Sequence, residues 1–148
     1  MPHQEISTEG LRSFFERFQG VSTASDVQAL AGMYTSIVMV AGPSGARAIS
    51  SADMLSAVAT RKQLFESAGH RETALVGFEE QPLTDRYSIV RTEWRWRFER
   101  ATGEPTTVSL PSTFIVDRSA DGPRIVVYVM HHDIAAELQD RGLLPPAA

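Results

Sequence analysis

The longest unbroken alternation in the chain runs over residues 88–100, SIVRTEWRWRFER. Val90, Thr92, Trp94, Trp96 and Phe98 fall on one parity, and Arg91, Glu93, Arg95, Arg97 and Glu99 on the other. A period of two predicts a strand with both indoles on its buried face and all its charge on its wet face. Two indoles require a deep apolar surface opposite them, whereas an Arg/Glu face is satisfied by cross-strand ion pairs in water.

Upstream of that strand, Leu11, Phe14, Phe15 and Phe18 recur at helical spacing behind Ser7 or Thr8 as cap, and Gly20 is expected to end the helix. A second, short helix is expected behind Ser25 or Asp26, with Val27, Leu30 and Ala31 apolar and Gly32 as its stop. Residues 34–41 and 46–49 flank Gly42-Pro43-Ser44-Gly45 and read as a short hairpin. Ser50 or Ser51 then caps a third helix that carries Met54, Leu55, Val58 and Phe65 on one face as far as Gly69.

Four strands are predicted after Gly69, over residues 73–80, 87–100, 106–117 and 124–132, joined by turns of hairpin length into an antiparallel meander. Pro111 in the third of them predicts a bulge. Ile125 to Met130 is apolar on both parities, which suits a strand at the centre of a sheet or one covered by a partner. Asp133 caps a last helix up to Arg141, after which residues 143–146 are expected to trail off.

Composition narrows the class. With 148 residues, 43% of them hydrophobic, the chain is large enough for one globular domain spanning 1–148. A net charge of −4 without any basic run argues against a nucleic-acid partner. There is no cysteine, hence no disulfide framework, which fits a reducing compartment. No apolar run approaches the ~18 residues of a membrane span, and the first ten residues lack the charge and apolar core of an export signal. A cytoplasmic location without membrane contact is the expectation.

The order helix, helix, hairpin, helix, four strands, short helix resembles the nuclear transport factor 2-like superfamily, and its SnoaL-like branch in particular, over about residues 7–133. The resemblance rests on FFERF in the first helix, DVQALAGMYTSIVM at 26–39, the glycine-containing turn before a capped helix, and DRSADGPRIVVYVMHH at the last strand. It implies an α+β fold, a cystatin-like roll in which a curved antiparallel or mixed sheet forms a cone closed by three helices from the first half of the chain. It also implies a central last strand, a pocket between helices and sheet, and a homodimer through the outer sheet face. Members of the superfamily include isomerases, dehydratases, cyclases, epoxide hydrolases and plain binding or scaffold proteins, so the fold leaves the activity open.

Candidate chemistry is sparse. Only one of His131 and His132 can face the cone if the strand alternates strictly. His131, on the parity of Ile125, Val127 and Val129, is the preferred inward residue and a candidate general base, with Asp133 orienting it and Tyr34 donating to a developing oxyanion. If His132 faces in instead, it joins Tyr128 and Met130. Phe14, Phe18, Thr92, Trp94, Trp96 and His132 are the candidate ligand-binding residues. The plainer readings are that Asp133 is only a helix cap, that Tyr34 is a core tyrosine, and that the tryptophans are core. Glu72, Glu79 and Glu80 lie near strand ends and are expected to be solvated.

No third ligand accompanies the histidines, so no metal is expected, and the turn at Gly42 has neither the lysine of a P-loop nor a nucleophile-elbow spacing, so no cofactor is either. Three functional classes follow. The first is a cone that binds a small apolar or aromatic molecule. The second is an acid/base enzyme of isomerase, dehydratase or hydrolase type, and the third a dimeric scaffold with a filled cone.

Overall fold

The computed structural model of the chain describes residues 8–24, 27–100, 103–119 and 122–145. The elements are α1 (Thr8–Ala24), α2 (Val27–Ala31), β1 (Tyr34–Gly42), β2 (Gly45–Ser50), α3 (Ser51–Ser67), β3 (His70–Pro82), β4 (Tyr87–Phe98), β5 (Thr106–Asp117), β6 (Arg124–Met130) and α4 (Ile134–Asp140). One six-stranded sheet has the order β2-β1-β6-β5-β4-β3. Strands β3 to β6 form the expected meander, and β6 then lies parallel to β1, so the doubly apolar strand does sit inside the sheet. This is the expected α+β architecture.

Strand β4 follows the alternation read from its sequence. Val90, Thr92, Trp94, Trp96 and Phe98 are buried. On the wet face Arg97 pairs with Glu72 at 3.3 Å and Arg91 with Glu79 at 3.9 Å, both across to β3. Such exposed pairs contribute little to stability, but they let the outer face stay in water.

Helix α1 continues through Gly20 to Ala24. A mid-helix glycine costs only about 1 kcal/mol relative to alanine, and the buried stripe of Leu11, Phe14, Phe15 and Phe18 anchors the helix against the sheet. The proposed caps Ser7, Ser25 and Asp26 lie outside the described residues. Ser50 caps α3, its hydroxyl oxygen accepting from the Asp53 N–H at 3.1 Å. The chain leaves α3 through Gly69, at φ +86°, where a Cβ would run into the carbonyl oxygen of Glu99. Only glycine fits that turn, and it delivers His70 to the first position of β3.

Pro111 makes no bulge. The β4–β5 pairing is unbroken from Tyr87↔Asp117 to Phe98↔Thr106, and Pro111 stands one residue beyond Ser112↔Met130, the last β5–β6 pair. A nitrogen without hydrogen is harmless where the neighbouring strand has ended. A bulge falls instead on β6, because Val116 pairs with Ile125 while Ile115 pairs with Val127. Val126 is the extra residue, and it shifts the alternation. Ile125 and Tyr128 are both buried, and Val127 and Val129 lie on the outer face opposite Ile115 and Thr113. The expected row of Ile125, Val127 and Val129 is thereby split.

Two further expectations are corrected. Leu143 and Leu144 belong to the core, held by Leu143 N–H to Leu138 O at 2.8 Å and by Arg100 donating to Gly142 O at 2.8 Å. Glu80 is not solvated, for its side chain is 3% exposed and lies 3.9 Å from Arg118, itself 7% exposed. Its cross-strand partner is Val90, which puts it on the inner face, and the Ser88 hydroxyl donates to its Oε2 at 2.6 Å. No helix among the described residues is long and apolar enough to cross a membrane.

A candidate ligand-binding site in the cone

The concave face of the sheet and the inner sides of α1 and α3 enclose a cavity of about 420 Å³. Its walls are mainly apolar. Phe18, Phe65, Trp94 and Trp96 supply rings, and Val40, Ile49, Met54, Val58 and Met130 supply aliphatic surface. The rings are locked edge to face, with Phe65 5.5 Å from Trp96 and Phe18 5.9 Å from Tyr34, an arrangement that holds the wall in one shape.

The polar groups come from three directions. Arg61 lies on the stripe of α3 that also carries Met54, Val58 and Phe65, so helical periodicity turns it inward. Its guanidinium rests over Phe65 at 5.2 Å and Trp96 at 5.7 Å, and donates to the Tyr128 hydroxyl at 3.2 Å. Burial first, and then the neighbouring Tyr128, hold the Tyr34 hydroxyl far above the usual phenol range, while Arg61 pulls the other way. Tyr34 is therefore a permanent proton donor at this wall.

His70 is the imidazole of the cavity. Its Nε2 lies 2.7 Å from the Thr73 hydroxyl, and the Thr73 carbonyl accepts from Gln19 at 2.5 Å. Burial against Phe65 and Phe98 lowers its pKa below 6.5, a hydrogen bond with the Glu72 backbone opposes this, and Arg61 lowers it further. The ring is neutral near pH 7.

Of the residues singled out from the sequence, Phe18, Tyr34, Trp94 and Trp96 do converge on the cavity. Phe14 and Thr92 do not. Phe14 is packed in the solid core, and Thr92 donates its hydroxyl to Ser112 O at 3.1 Å beneath the surface. His131 is exposed, with Nε2 2.7 Å from Thr113 Oγ1 on the outer face, because the bulge at Val126 reverses the parity that would have turned it inward. His132 opens instead onto a second cavity of about 580 Å³ beside the first, where its Nδ1 is 3.4 Å from Glu137. Asp133 caps α4 by accepting from Ala136 N–H at 3.1 Å.

Arg61 and His70 went unnoticed in the sequence. Arg61 had a legible signal, since a cation on an apolar helical stripe is out of pattern. His70 had none, because the β3–β4 register slips between His70 and Glu72 and defeats any parity argument. Among the described residues no three His, Asp or Glu side chains are grouped closely enough to hold a metal ion.

A curved sheet closed by helices around a ligand-sized, aromatic-walled cavity defines a small α+β cone protein. No family model matches the chain, and no curated protein is significantly similar to it. Solved structures are similar to it. The β subunit of benzoate 1,2-dioxygenase from Burkholderia mallei is 17% identical with a TM-score of 0.70, covering 90% of this chain and 95% of that one. An NTF2-like protein with a cystatin-like fold from Novosphingobium aromaticivorans is 14% identical with a TM-score of 0.67, covering 93% and 88%. An NTF-2 like protein of unknown function from Shewanella oneidensis is 18% identical with a TM-score of 0.63, covering 84% and 98%. The chain has the nuclear transport factor 2-like, cystatin-like fold, and at these identities the likeness speaks of fold alone.

Proposed function

We propose that the protein is a small-molecule-binding cone whose ligand is flat and largely apolar. The observation that carries this reading is the cavity of about 420 Å³ with aromatic and aliphatic walls and a few convergent polar groups, the usual make-up of a small-molecule site. Its volume weighs against a scaffold with a filled cone. The neutral dye N-phenyl-1-naphthylamine tests it. Saturable fluorescence enhancement at one dye per chain, weakened by Val58→Trp, is the expected result. Absence of saturable binding contradicts the reading.

A second reading, acid/base catalysis without a cofactor, is favoured by one feature. His70 is a neutral imidazole in the wall of a cavity that also holds the un-ionised hydroxyl of Tyr34. A base and a hydrogen-bond donor are the two groups such chemistry needs. His131 and His132, which lie outside that cavity, serve this role less well. Turnover of a bound carbonyl compound that is lost in His70→Gln while binding persists would support the enzyme.

A homodimer through the outer sheet face is part of the proposal. Ile37 and Met39 on β1 are 59% and 40% exposed, and they adjoin Val127 and Val129 of β6 and Ile115 of β5 on the same face. A contiguous apolar strip of this kind calls for a cover, and a two-fold copy supplies it. Sedimentation should give a dimer at micromolar concentration and a monomer for Ile37→Asp with Met39→Asp; a wild-type monomer contradicts it. A cytoplasmic location fits the absence of cysteine.

A further inference from the structure

The two cavities share Val40, Arg47, Arg61 and Met130 in their walls. Val40 and Arg47 are cross-strand partners in the β1–β2 hairpin, so the boundary between the cavities consists of two apolar side chains and two guanidinium groups. The two other cations that line the first cavity each have a carboxylate. Lys62 is 3.8 Å from Glu66, and Arg71 is 3.7 Å from Glu99. Arg47 and Arg61 have none among the described residues. Arg61 is held only by a neutral hydroxyl and two ring faces, partners that orient a guanidinium and leave its charge uncompensated. Arg47 is exposed at the rim of that boundary, and in a chain with a net charge of −4 two arginines without a carboxylate on one cavity boundary are a local reversal of sign. Of the carboxylates nearby, Glu66 lines the first cavity and is paired with Lys62, and Asp133 lines the second, so the boundary between them is the favourable position for an anion.

We infer that this junction is an anion subsite, and that the ligand of the cone is a planar aromatic acid. Its ring system lies among Phe18, Trp94 and Trp96, and its carboxylate or sulfonate oxygens are shared between Arg61 and Arg47, the geometry for which guanidinium is suited. The inference rests on the cone being a binding site, and it adds the charge and direction of the ligand.

A matched pair of dyes separates the two statements. N-phenyl-1-naphthylamine and 1-anilinonaphthalene-8-sulfonate share one ring system and differ in the sulfonate. Both should bind, the sulfonate about tenfold tighter at low salt, as a charge-assisted contact allows. That preference should shrink in 0.5 M salt and collapse towards parity in Arg47→Gln and in Arg61→Gln. Arg91→Gln, on the outer face, should keep it. A sulfonate dye that binds no tighter than the neutral one, or a preference that survives both substitutions, overturns the anion subsite and leaves the cavity reading standing. Binding of neither dye overturns both. Because the salt dependence is read on the unmodified chain, the inference stays testable even if a variant fails to fold.

Discussion

The Arg61 guanidinium donates to the Tyr128 hydroxyl over 3.2 Å, and this bond ties α3 to the central strand β6 across the cavity. Arg61 also covers Phe65 and Trp96 with its planar face. Arg61→Ala should therefore cost about 1–2 kcal/mol, the sum of one net hydrogen bond and a part-buried cation–π contact. Arg61→Lys should recover little, since an ammonium cannot stack and fork at once. Urea unfolding of the three proteins checks this, and equal stability of Lys and Arg would contradict it.

Core and cavity wall should respond differently to truncation. Phe15 is fully buried, with rings of Phe14 and Phe114 at 5.1 and 4.7 Å, so Phe15→Ala should cost about 3–5 kcal/mol. Trp94 already borders empty space on one side, and Trp94→Ala should cost less despite the larger side chain. A greater loss at Trp94 than at Phe15 in thermal unfolding would mean that the cavity is closed in solution.

Much of this was legible in the sequence, and the failures have identifiable causes. Strand β4 obeys strict alternation between two hairpin neighbours, so Trp94 and Trp96 were placed on the correct face by parity alone. The order of helices and strands carried the resemblance that implied the fold class. Parity failed at β6, where one extra residue at Val126 moved His131 outside, and a bulge leaves no mark in an all-apolar run such as IVVYVM. At His70, beside another register slip, strand parity gives no guide to which way the ring points. Glu80 looked like a solvated strand end because its buried partner Arg118 is distant in the chain, and long-range pairing is invisible to local pattern.

His70 carries the pH dependence. Its pKa is lowered in the folded chain below 6.5, so in the interval beneath 6.5 the unfolded chain binds a proton that the folded chain refuses. Stability should then fall as pH drops from about 6.5 through the folded pKa, and level off below it. Denaturant midpoints across pH 4.5–7.5 should show that slope in the native protein and a shallower one in His70→Gln. An NMR titration midpoint for His70 at or above 6.5 would contradict it.

Glu80 and Arg118 should behave as a buried pair. Glu80→Ala strands a cation in the core and is expected to cost about 3–5 kcal/mol, while Glu80→Met together with Arg118→Met should recover most of that loss. The double-mutant cycle is the check. Purely additive losses would show that the two side chains, 3.9 Å apart, do not depend on one another.

Whether ligand enters the hollow cone is read from a crystal structure of the protein with bound N-phenyl-1-naphthylamine. The dye should lie between Trp94, Trp96 and Met54, with Arg61 still on Tyr128 and Phe65 unmoved. Dye lodged only on the outer sheet face, with Phe65 and Trp96 collapsed together to fill the space, would contradict it.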